Sequence, residues 1–287
     1  MTNSFEAKLA KSYSTLSEKL KQAADFVVAH PLDVATRSLR AISVEAGLAP
    51  VTFTRMARAI GYQSYEEFRE AMRSAAGEKT DTFSAGVERL QNEPGDSKAG
   101  FFARYVASCS HNLQTLGLDL RPADLEHVVE RLHTSRQVLV SGALGSSGIA
   151  EYLSYMANFI AGNWQLAGRA GTSLGSSLIG VGDQDTLIVI TKPPFADISI
   201  QIADVASSQG AFVIVITDTY RCPALVHASA SFIVPTESPH FFSSYVSTLA
   251  LAESLVGMLA ARAGPAARER IGKVEEANRR LEYLREE

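Results

Sequence analysis

The sequence predicts an all-α N-terminal domain followed by an α/β domain in which a parallel sheet lies between helices. In residues 1–77, apolar residues recur at helical spacing. From residue 137 onward, short β-branched runs alternate with helical patterns, which is typical of parallel strands connected by helices. The N-terminal segment also differs from the rest of the chain in net charge. Residues 1–77 hold ten Lys and Arg against eight Asp and Glu, a net of +2, whereas the whole chain has a net charge of −4.

The composition is that of a globular protein. Hydrophobic residues make up 46% of the 287 residues and charged residues 20%, which argues against a disordered or collagen-like chain. Cys109 and Cys222 have neither CxxC nor metal-ligand spacing, so we expect reduced thiols and no metal site. The N-terminus lacks an apolar signal region. The longest stretch without charged residues, 152–168, contains several polar residues. We therefore expect a cytoplasmic protein with no membrane partner and no cofactor.

The first predicted helix carries Leu16, Leu20, Ala23, Ala24 and Val27 at helical spacing. Thr15 and Glu18 have the spacing of a capping box at its start. The helix is expected to end at His30, because a residue that precedes proline is displaced from the α region.

Three further helices are expected in the N-terminal domain. The second begins after Ser38, a typical N-cap, and ends at Gly47. The third runs from Pro50, which suits a first helical turn, to Ile60. The fourth begins after Ser64, where Glu67 completes a capping box, and it buries Tyr65, Phe68 and Met72.

The remaining elements follow in order. Residues 78–100 are expected to be a linker that contains a short helix at 83–90, and a helix at 101–116 follows it. Pro122 opens another helix, whose apolar face is Leu125, Val128, Val129 and Leu132. Predicted strands cover 138–140, 163–166, 186–190, 212–216 and 232–234, with a connecting helix at 198–208, and a charged helix occupies 265–287.

Residues 38–62 form a predicted helix-turn-helix whose turn is Gly47-Leu48-Ala49. Arg55 and Arg58 of its second helix lie about one turn apart, and no acidic residue occurs between Glu45 and Glu66. Such a surface is suited to the phosphates of DNA. A plain helical hairpin with a basic rim is the alternative. The residues expected to face DNA are Ser38, Pro50, Val51, Thr52, Thr54, Arg55 and Arg58.

Residues 1–77 resemble the N-terminal domain of the RpiR family of bacterial transcription regulators. The family pattern at the recognition helix is Ser-Pro-x-Thr-x-x-Arg, and this chain has Ala49-Pro50-Val51-Thr52-Phe53-Thr54-Arg55. The resemblance implies a DNA-binding domain. Ala49 departs from the pattern, and the loss of a capping hydroxyl costs roughly 0.5–2 kcal/mol of helix stability.

The loop after the first predicted strand, residues 141–150, is rich in glycine and serine. It precedes a helix, and backbone N–H groups at a helix N-terminus attract anions. Leu144 occupies the second glycine position of a GxGxxG fingerprint, and there is no Gly-Lys-Ser/Thr of a Walker A loop, so neither nucleotide motif is present. A tight turn that needs small residues explains the loop equally well.

Residues 101–264 resemble the SIS (sugar isomerase) domain, which implies a parallel α/β fold that binds phosphorylated sugars through Ser and Thr residues of two loops. The first loop matches at Ser146, and Ser147 is adjacent. The second loop is usually Ser-x-Ser-Gly-x-Thr, whereas residues 191–196 here read Thr-Lys-Pro-Pro-Phe-Ala. Lys192 would then be a charge partner for a small acid, or simply a solvated loop residue. The full set expected to bind a ligand is Gly142, Ser146, Ser147, Thr191, Lys192, Ser243 and Ser244, with N-capping as the alternative role of the last two.

Together these resemblances imply a ligand-responsive DNA-binding regulator of a metabolic operon, and not an enzyme. It would act as a homodimer or homotetramer on a palindromic operator and would sense a small metabolite such as a sugar phosphate. Two alternatives remain at this stage. A sugar-phosphate isomerase would need a positioned acid and base, for which Glu151, Glu237 and His240 are the nearest candidates. A structural SIS protein would use its N-terminal helices to bind protein.

Overall fold

The computed structural model describes residues 5–80, 83–92, 97–169 and 171–283. It divides into two compact units. Unit 1 comprises residues 1–99 with 240–242, and unit 2 comprises 100–239 with 243–287. The helical N-terminal region and the parallel sheet flanked by helices confirm the predicted fold class.

Unit 1 is built from helices, and all but the last of them contribute side chains to one apolar core. The helices are α1 (Phe5–Ser12), α2 (Glu18–Ala29), α3 (Pro31–Thr36), α4 (Leu39–Glu45), α5 (Pro50–Ala59), α6 (Tyr65–Thr80) and α7 (Phe83–Asn92). Its largest fully buried members are Phe53, Phe68, Ile42 and Met56. Phe68 packs against Tyr62, with 5.5 Å between ring centroids, and against Phe5 at 5.4 Å.

The helix ends of unit 1 follow the predicted signals at most positions. Ser38 Oγ accepts a hydrogen bond from Ala41 N (3.2 Å), and Gly47 follows α4 with φ +65°, a conformation that disfavours other residues. Ser64 Oγ accepts from Glu67 N (3.1 Å), while the Glu67 carboxylate accepts from Gln63 N (2.6 Å). These contacts confirm the starts of α4 and α6.

One expectation for this unit was wrong, and one helix was not predicted. Thr15 does not cap a helix, because it lies in a 3₁₀ turn and its hydroxyl donates to Ser12 O (2.7 Å). Helix α2 begins two residues later than predicted, after Ser17. The chain also continues after His30 into a helix, α3, that the sequence reading omitted. Pro31 ends α2 and at the same time occupies the first position of α3, where its missing N–H costs nothing.

Unit 2 is a five-stranded parallel sheet in the order β2-β1-β3-β4-β5. The strands are β1 (Val138–Gly142), β2 (Trp164–Leu166), β3 (Thr186–Ile190), β4 (Phe212–Thr217) and β5 (Ala230–Ile233). The helices are α8 (Ser97–Asp119), α9 (Pro122–Thr134), α10 (Ser147–Ile160), α11 (Leu174–Leu178), α12 (Asp197–Ser208), α13 (Val246–Ala263) and α14 (Pro265–Arg280). All five predicted strands are therefore present.

Successive side chains of the strands enter two separate apolar cores. Val140, Ile188 and Ile214 pack with α9, α10 and α13 on one face of the sheet. Leu187 and Val213 pack with α12 on the other. Because both faces are covered by helices, the strands appear as continuous apolar runs in the sequence.

One helix among the described residues, α13, is long and apolar enough by length and composition to cross a membrane. Leu251, Leu255 and Leu259 of this helix are buried in the core beneath the sheet. One third of the 18-residue stretch is buried, so the core covers part of this helix.

The tail helix α14 packs on unit 2. Ala267 is buried, Ile271 contacts the core, and Arg270 Nε donates to Asn158 O (3.0 Å). Glu269 and Lys273 form an exposed pair (2.6 Å) on its outer side. The helix is thus solvated on one face and packed on the other.

Asp185 closes the turn before β3 with a buried carboxylate. It accepts from the Arg136 guanidinium (2.5 and 3.0 Å) and from Gly182 N (2.8 Å). Burial alone would raise the pKa of Asp185, but these hydrogen bonds outweigh it and hold the pKa below its usual value.

A group with a lowered pKa stabilises the fold above its unfolded pKa of about 3.9, and this contribution is lost as the pH falls through the lower folded value. We expect Asp185→Asn to cost about 1–3 kcal/mol at pH 7 and to flatten the loss of stability between pH 5 and 2. Urea unfolding followed by the single tryptophan, Trp164, measures both. If the free energy of unfolding changes with pH in the same way in both proteins, Asp185 does not contribute to the pH dependence of stability.

Candidate functional site

Helix α5 has one buried face and one outward face. Phe53, Met56 and Ala57 are fully buried in the core of unit 1. Arg55 and Arg58 are exposed on the opposite side. The burial of three residues at helical spacing thus fixes which side chains α5 presents to the solvent.

The other residues expected to face DNA are accessible to different degrees. Pro50 and Val51 are exposed, and Thr52 and Thr54 are half-buried. Thr54 Oγ1 donates to Pro50 O (3.4 Å) and is engaged within the helix. Ser38 is exposed, but its hydroxyl caps α4. The structure therefore brings Val51, Arg55 and Arg58 together on α5, and it places Ser38 on the preceding helix.

A short turn, residues 46–49, joins α4 to α5. Leu48 N donates to Ser43 O (3.0 Å), which fixes the turn. Ala49 occupies the N-cap position of α5 without a side chain able to accept a hydrogen bond, and Pro50 follows as the first helical residue.

His30, Asp33 and Glu45 are close enough to one another to ligate a cation. The Arg37 guanidinium already lies between the two carboxylates, at 3.4 Å from Asp33 and 2.5 Å from Glu45. These contacts form an exposed ion-pair network, so we assign the cluster no metal.

In unit 2, three predicted ligand residues cluster at the carboxyl edge of the sheet. Tyr245 contacts Ser146 and Lys192, and the Lys192 ammonium donates to Ser244 O. The strand order reverses between β1 and β3, which pair in parallel with Gly142 opposite Ile190. Loops that diverge at such a switch point leave a crevice, which is where open α/β sheets bind ligands. The first loop follows β1 and the second follows β3.

The first loop packs tightly against its own strand. A Cβ atom on Gly142 would lie 2.4 Å from the carbonyl oxygen of Ser146, so only glycine fits. Ser147 Oγ donates to Leu144 O (2.8 Å), and Ser146, which is buried, lies 3.0 Å from the Tyr245 hydroxyl. The Ser147 hydroxyl is thus engaged within the loop, and the Ser146 hydroxyl contacts the start of α13.

The second loop places a lysine inside the protein. Lys192 is only 6% exposed, so it is not the solvated loop residue of the alternative interpretation. Its ammonium donates to Ser244 O (3.0 Å) and lies 3.8 Å from the centroid of the Tyr245 ring. Burial lowers the pKa of Lys192 to about 7, and the carboxylate of Asp218 opposes this shift. Thr191 beside it is also buried.

The third loop is held by several hydrogen bonds. Ser244 N donates to Thr236 O (3.0 Å), and Ser244 Oγ accepts from Val246 N (3.3 Å). The buried Asn112 side chain contacts both the carbonyl and the N–H of Glu237 (2.7 and 3.2 Å). Ser244 therefore lies in the cluster with Lys192. It is not the N-cap of α13, because Tyr245 occupies that position without a side-chain cap. Ser243 is exposed.

Sequence reasoning missed two residues of this cluster. Tyr245 joins Ser146 of the first loop to Lys192 of the second. Asp218 follows β4, the strand next to β3, and accepts from Thr236 Oγ1 (3.0 Å). The position of Asp218 directly after a predicted strand was the available signal, since carboxyl ends of parallel strands meet at one edge.

The candidate acid and base residues are engaged in separate pairs. Glu151 lies 3.5 Å from Arg169, and Glu237 lies 3.9 Å from His111. His240 Nδ1 accepts from Phe242 N (3.1 Å). Each of the three residues therefore contacts a different partner.

Gly142→Ala is expected to destabilise unit 2 by about 1–3 kcal/mol, because the new methyl group would overlap the backbone of the first loop. Gly148→Ala is the matched control, since a Cβ there meets nothing within 4 Å. Urea unfolding compares the two variants. Equal stability of the two would contradict the tight packing of this loop.

The comparisons with known proteins agree with this architecture. Residues 131–258 match the family model of the SIS domain, so the chain contains a SIS domain. The structure of the Vibrio vulnificus NanR protein complexed with ManNAc-6P is similar, with a TM-score of 0.54 and 19% identity over 96% of this chain and 98% of that one.

Two further solved structures resemble unit 2 in fold. The sugar isomerase domain of an RpiR transcription factor from Sphaerobacter thermophilus gives a TM-score of 0.57 at 19% identity, over 61% of this chain and 97% of that one. A protein of Escherichia coli CFT073, solved as a complex, gives 0.50 at 14% identity, over 63% and 98%. A search of the curated proteins found no match.

Proposed function

We propose that the chain is a ligand-responsive, DNA-binding transcriptional regulator. The observation that carries this proposal is the outward face of α5, where Arg55 and Arg58 are exposed opposite a fully buried apolar face. We assign residues 1–77 to DNA binding, 78–100 to a linker, 101–264 to effector binding, and 265–287 to a charged C-terminal helix.

In this account α5 lies in the major groove of double-stranded DNA. The two guanidinium groups offer bidentate hydrogen bonds to guanine or charge to phosphate. Ser38, Pro50, Thr52 and Thr54 line the same helix-turn-helix, and Ser38 acts mainly by capping α4. Glu45, the acidic residue nearest to α5 on its N-terminal side, is paired with Arg37, which limits its repulsion of phosphate.

The effector site is proposed at the carboxyl edge of β1 and β3, built from Gly142, Ser146, Ser147, Thr191, Lys192, Ser243 and Ser244. The Lys192 ammonium is buried, and burial outweighs the opposing effect of the Asp218 carboxylate on its pKa. A negatively charged ligand would add a second favourable charge, so Lys192 favours an anion. The ManNAc-6P bound by the similar NanR protein supports a phosphorylated sugar as the first class to test.

Pro193 and Pro194 follow Lys192, and prolines have no N–H to donate. The second loop therefore provides charge through Lys192 where related loops provide hydroxyl groups. A loop that offers one positive charge favours a ligand with one anionic group at this position. Small sugar acids are therefore the second class of ligand to test.

A net charge of +2 on residues 1–77 gives one copy of this domain only weak attraction to DNA. Two copies related by a two-fold axis would bind a palindromic operator whose half-sites are spaced by whole turns of DNA. We therefore propose a cytoplasmic homodimer or homotetramer. Effector binding would shift the balance between two arrangements of the DNA-binding domains.

A thermal-shift screen of sugar phosphates, their sugar acids and the uncharged sugars tests the effector site. We expect the charged compounds to raise Tm and the uncharged sugars to leave it unchanged. Turnover of a compound into its isomer by the purified chain would contradict the regulator and favour a SIS-type isomerase.

A further inference from the structure

The outward stripe of α5 has an apolar first member. Val51, Arg55 and Arg58 are spaced i, i+4 and i+7, so they lie along one side of the helix. Val51 is 52% exposed, and the core of unit 1 is filled on the opposite side by Phe53 and Met56. Packing within the described part of unit 1 therefore does not account for a valine at this position.

Val51 also lies in the first turn of α5, directly after Pro50. Residues at the N-terminal end of a recognition helix are those that contact base edges in helix-turn-helix proteins. The valine side chain can neither donate nor accept a hydrogen bond. Against the polar edge of a base it would exclude water and leave the donors and acceptors of that base without hydrogen bonds. In the major groove the C5-methyl group of thymine is the apolar feature.

We propose that Val51 contacts the C5-methyl group of one thymine in each operator half-site and thereby specifies an A·T pair there. This inference rests on the proposed function, because it requires α5 to enter the major groove. Arg55 and Arg58, one and two turns further along the stripe, would face the neighbouring base pairs or phosphates.

The test begins with DNA selected from a random pool by the full-length chain. Each thymine of the selected operator is then replaced by uracil, which removes only the methyl group, and affinities are measured by fluorescence anisotropy. We expect one symmetric thymine position to be sensitive, with a loss of about fourfold per half-site, the value for one buried methyl-sized group.

The uracil scan is repeated with Val51→Ala, and we expect the penalty at that position to disappear. Val44→Ala is the matched control, since Val44 is 78% exposed on α4, outside the stripe, and should keep the full penalty. The inference is overturned if the loss of affinity on replacing thymine by uracil persists in Val51→Ala. It is also overturned if no thymine is sensitive. Both outcomes still require that the chain binds its selected operator. Failure of the full-length chain to select any DNA would instead contradict the proposed function.

Discussion

Replacing Arg55 by alanine is expected to lower the affinity of the full-length chain for its operator by at least about 30-fold. Each bidentate contact between arginine and guanine contributes about 1–3 kcal/mol, and a two-fold symmetric complex loses two of them. Arg55 is exposed on α5, whereas the neighbouring Met56 fills the core, so the substitution should leave Tm unchanged. Fluorescence anisotropy with the selected operator measures the affinity.

Lys19→Ala is the matched control for Arg55→Ala. It removes one exposed positive charge from the same unit, but on α2 and outside the stripe of α5. We expect a loss of no more than a few-fold that weakens further at high salt. If Arg55→Ala binds the operator as tightly as the parent chain, α5 is not the recognition helix.

Lys192→Met is expected to lower the affinity for an anionic ligand by about 10- to 100-fold. The ligand to use is the charged compound that raises the Tm of the parent chain. Hydrogen bonds to charged groups contribute about 1.5–3 kcal/mol, and Lys192 is the buried cation of the candidate site. Methionine keeps most of the aliphatic stem. Because a buried ammonium costs desolvation energy, Tm without ligand should stay unchanged or rise. Isothermal titration calorimetry measures the affinity.

The pH dependence separates a binding role of Lys192 from a structural one. With a pKa of about 7, the lysine is charged below pH 7 and neutral above it, so the affinity of the parent chain for an anion should fall as the pH rises from 7 to 9. Lys192→Met should lack this dependence. Lys273→Met, which removes an exposed lysine from α14, should behave like the parent chain. If Lys192→Met is strongly destabilised but still binds the compound, the hydrogen bond from Lys192 to Ser244 O stabilises the fold and Lys192 does not bind the ligand.

The sheet of unit 2 was predictable because its strands are buried on both faces. The run Thr186 to Ile190 forms β3 with the predicted bounds, and Pro122 and Pro50 open helices where a first-turn proline is tolerated. These signals are local, so they are visible in one sequence. The short helix α11 was missed because its five residues, Leu-Gly-Ser-Ser-Leu, are too few to show helical periodicity.

The candidate site was only partly predictable, since it is assembled by contacts between distant segments. Ser146 and Lys192 follow predicted strands, and the resemblance to the SIS domain assigned both to ligand-binding loops. The burial of Lys192 against Tyr245, however, depends on the path of a third loop. On α5, by contrast, helical periodicity alone separated the buried residues from the outward ones.

The affinity of the full-length chain for its selected operator, measured with and without the stabilising compound, tests the central claim most directly. A regulator of this kind should bind the operator at least about 1000-fold more tightly than random DNA. The compound should change that affinity by about 5- to 150-fold. Equal affinity for the operator and for random DNA, unchanged by any compound that stabilises the chain, would contradict the account.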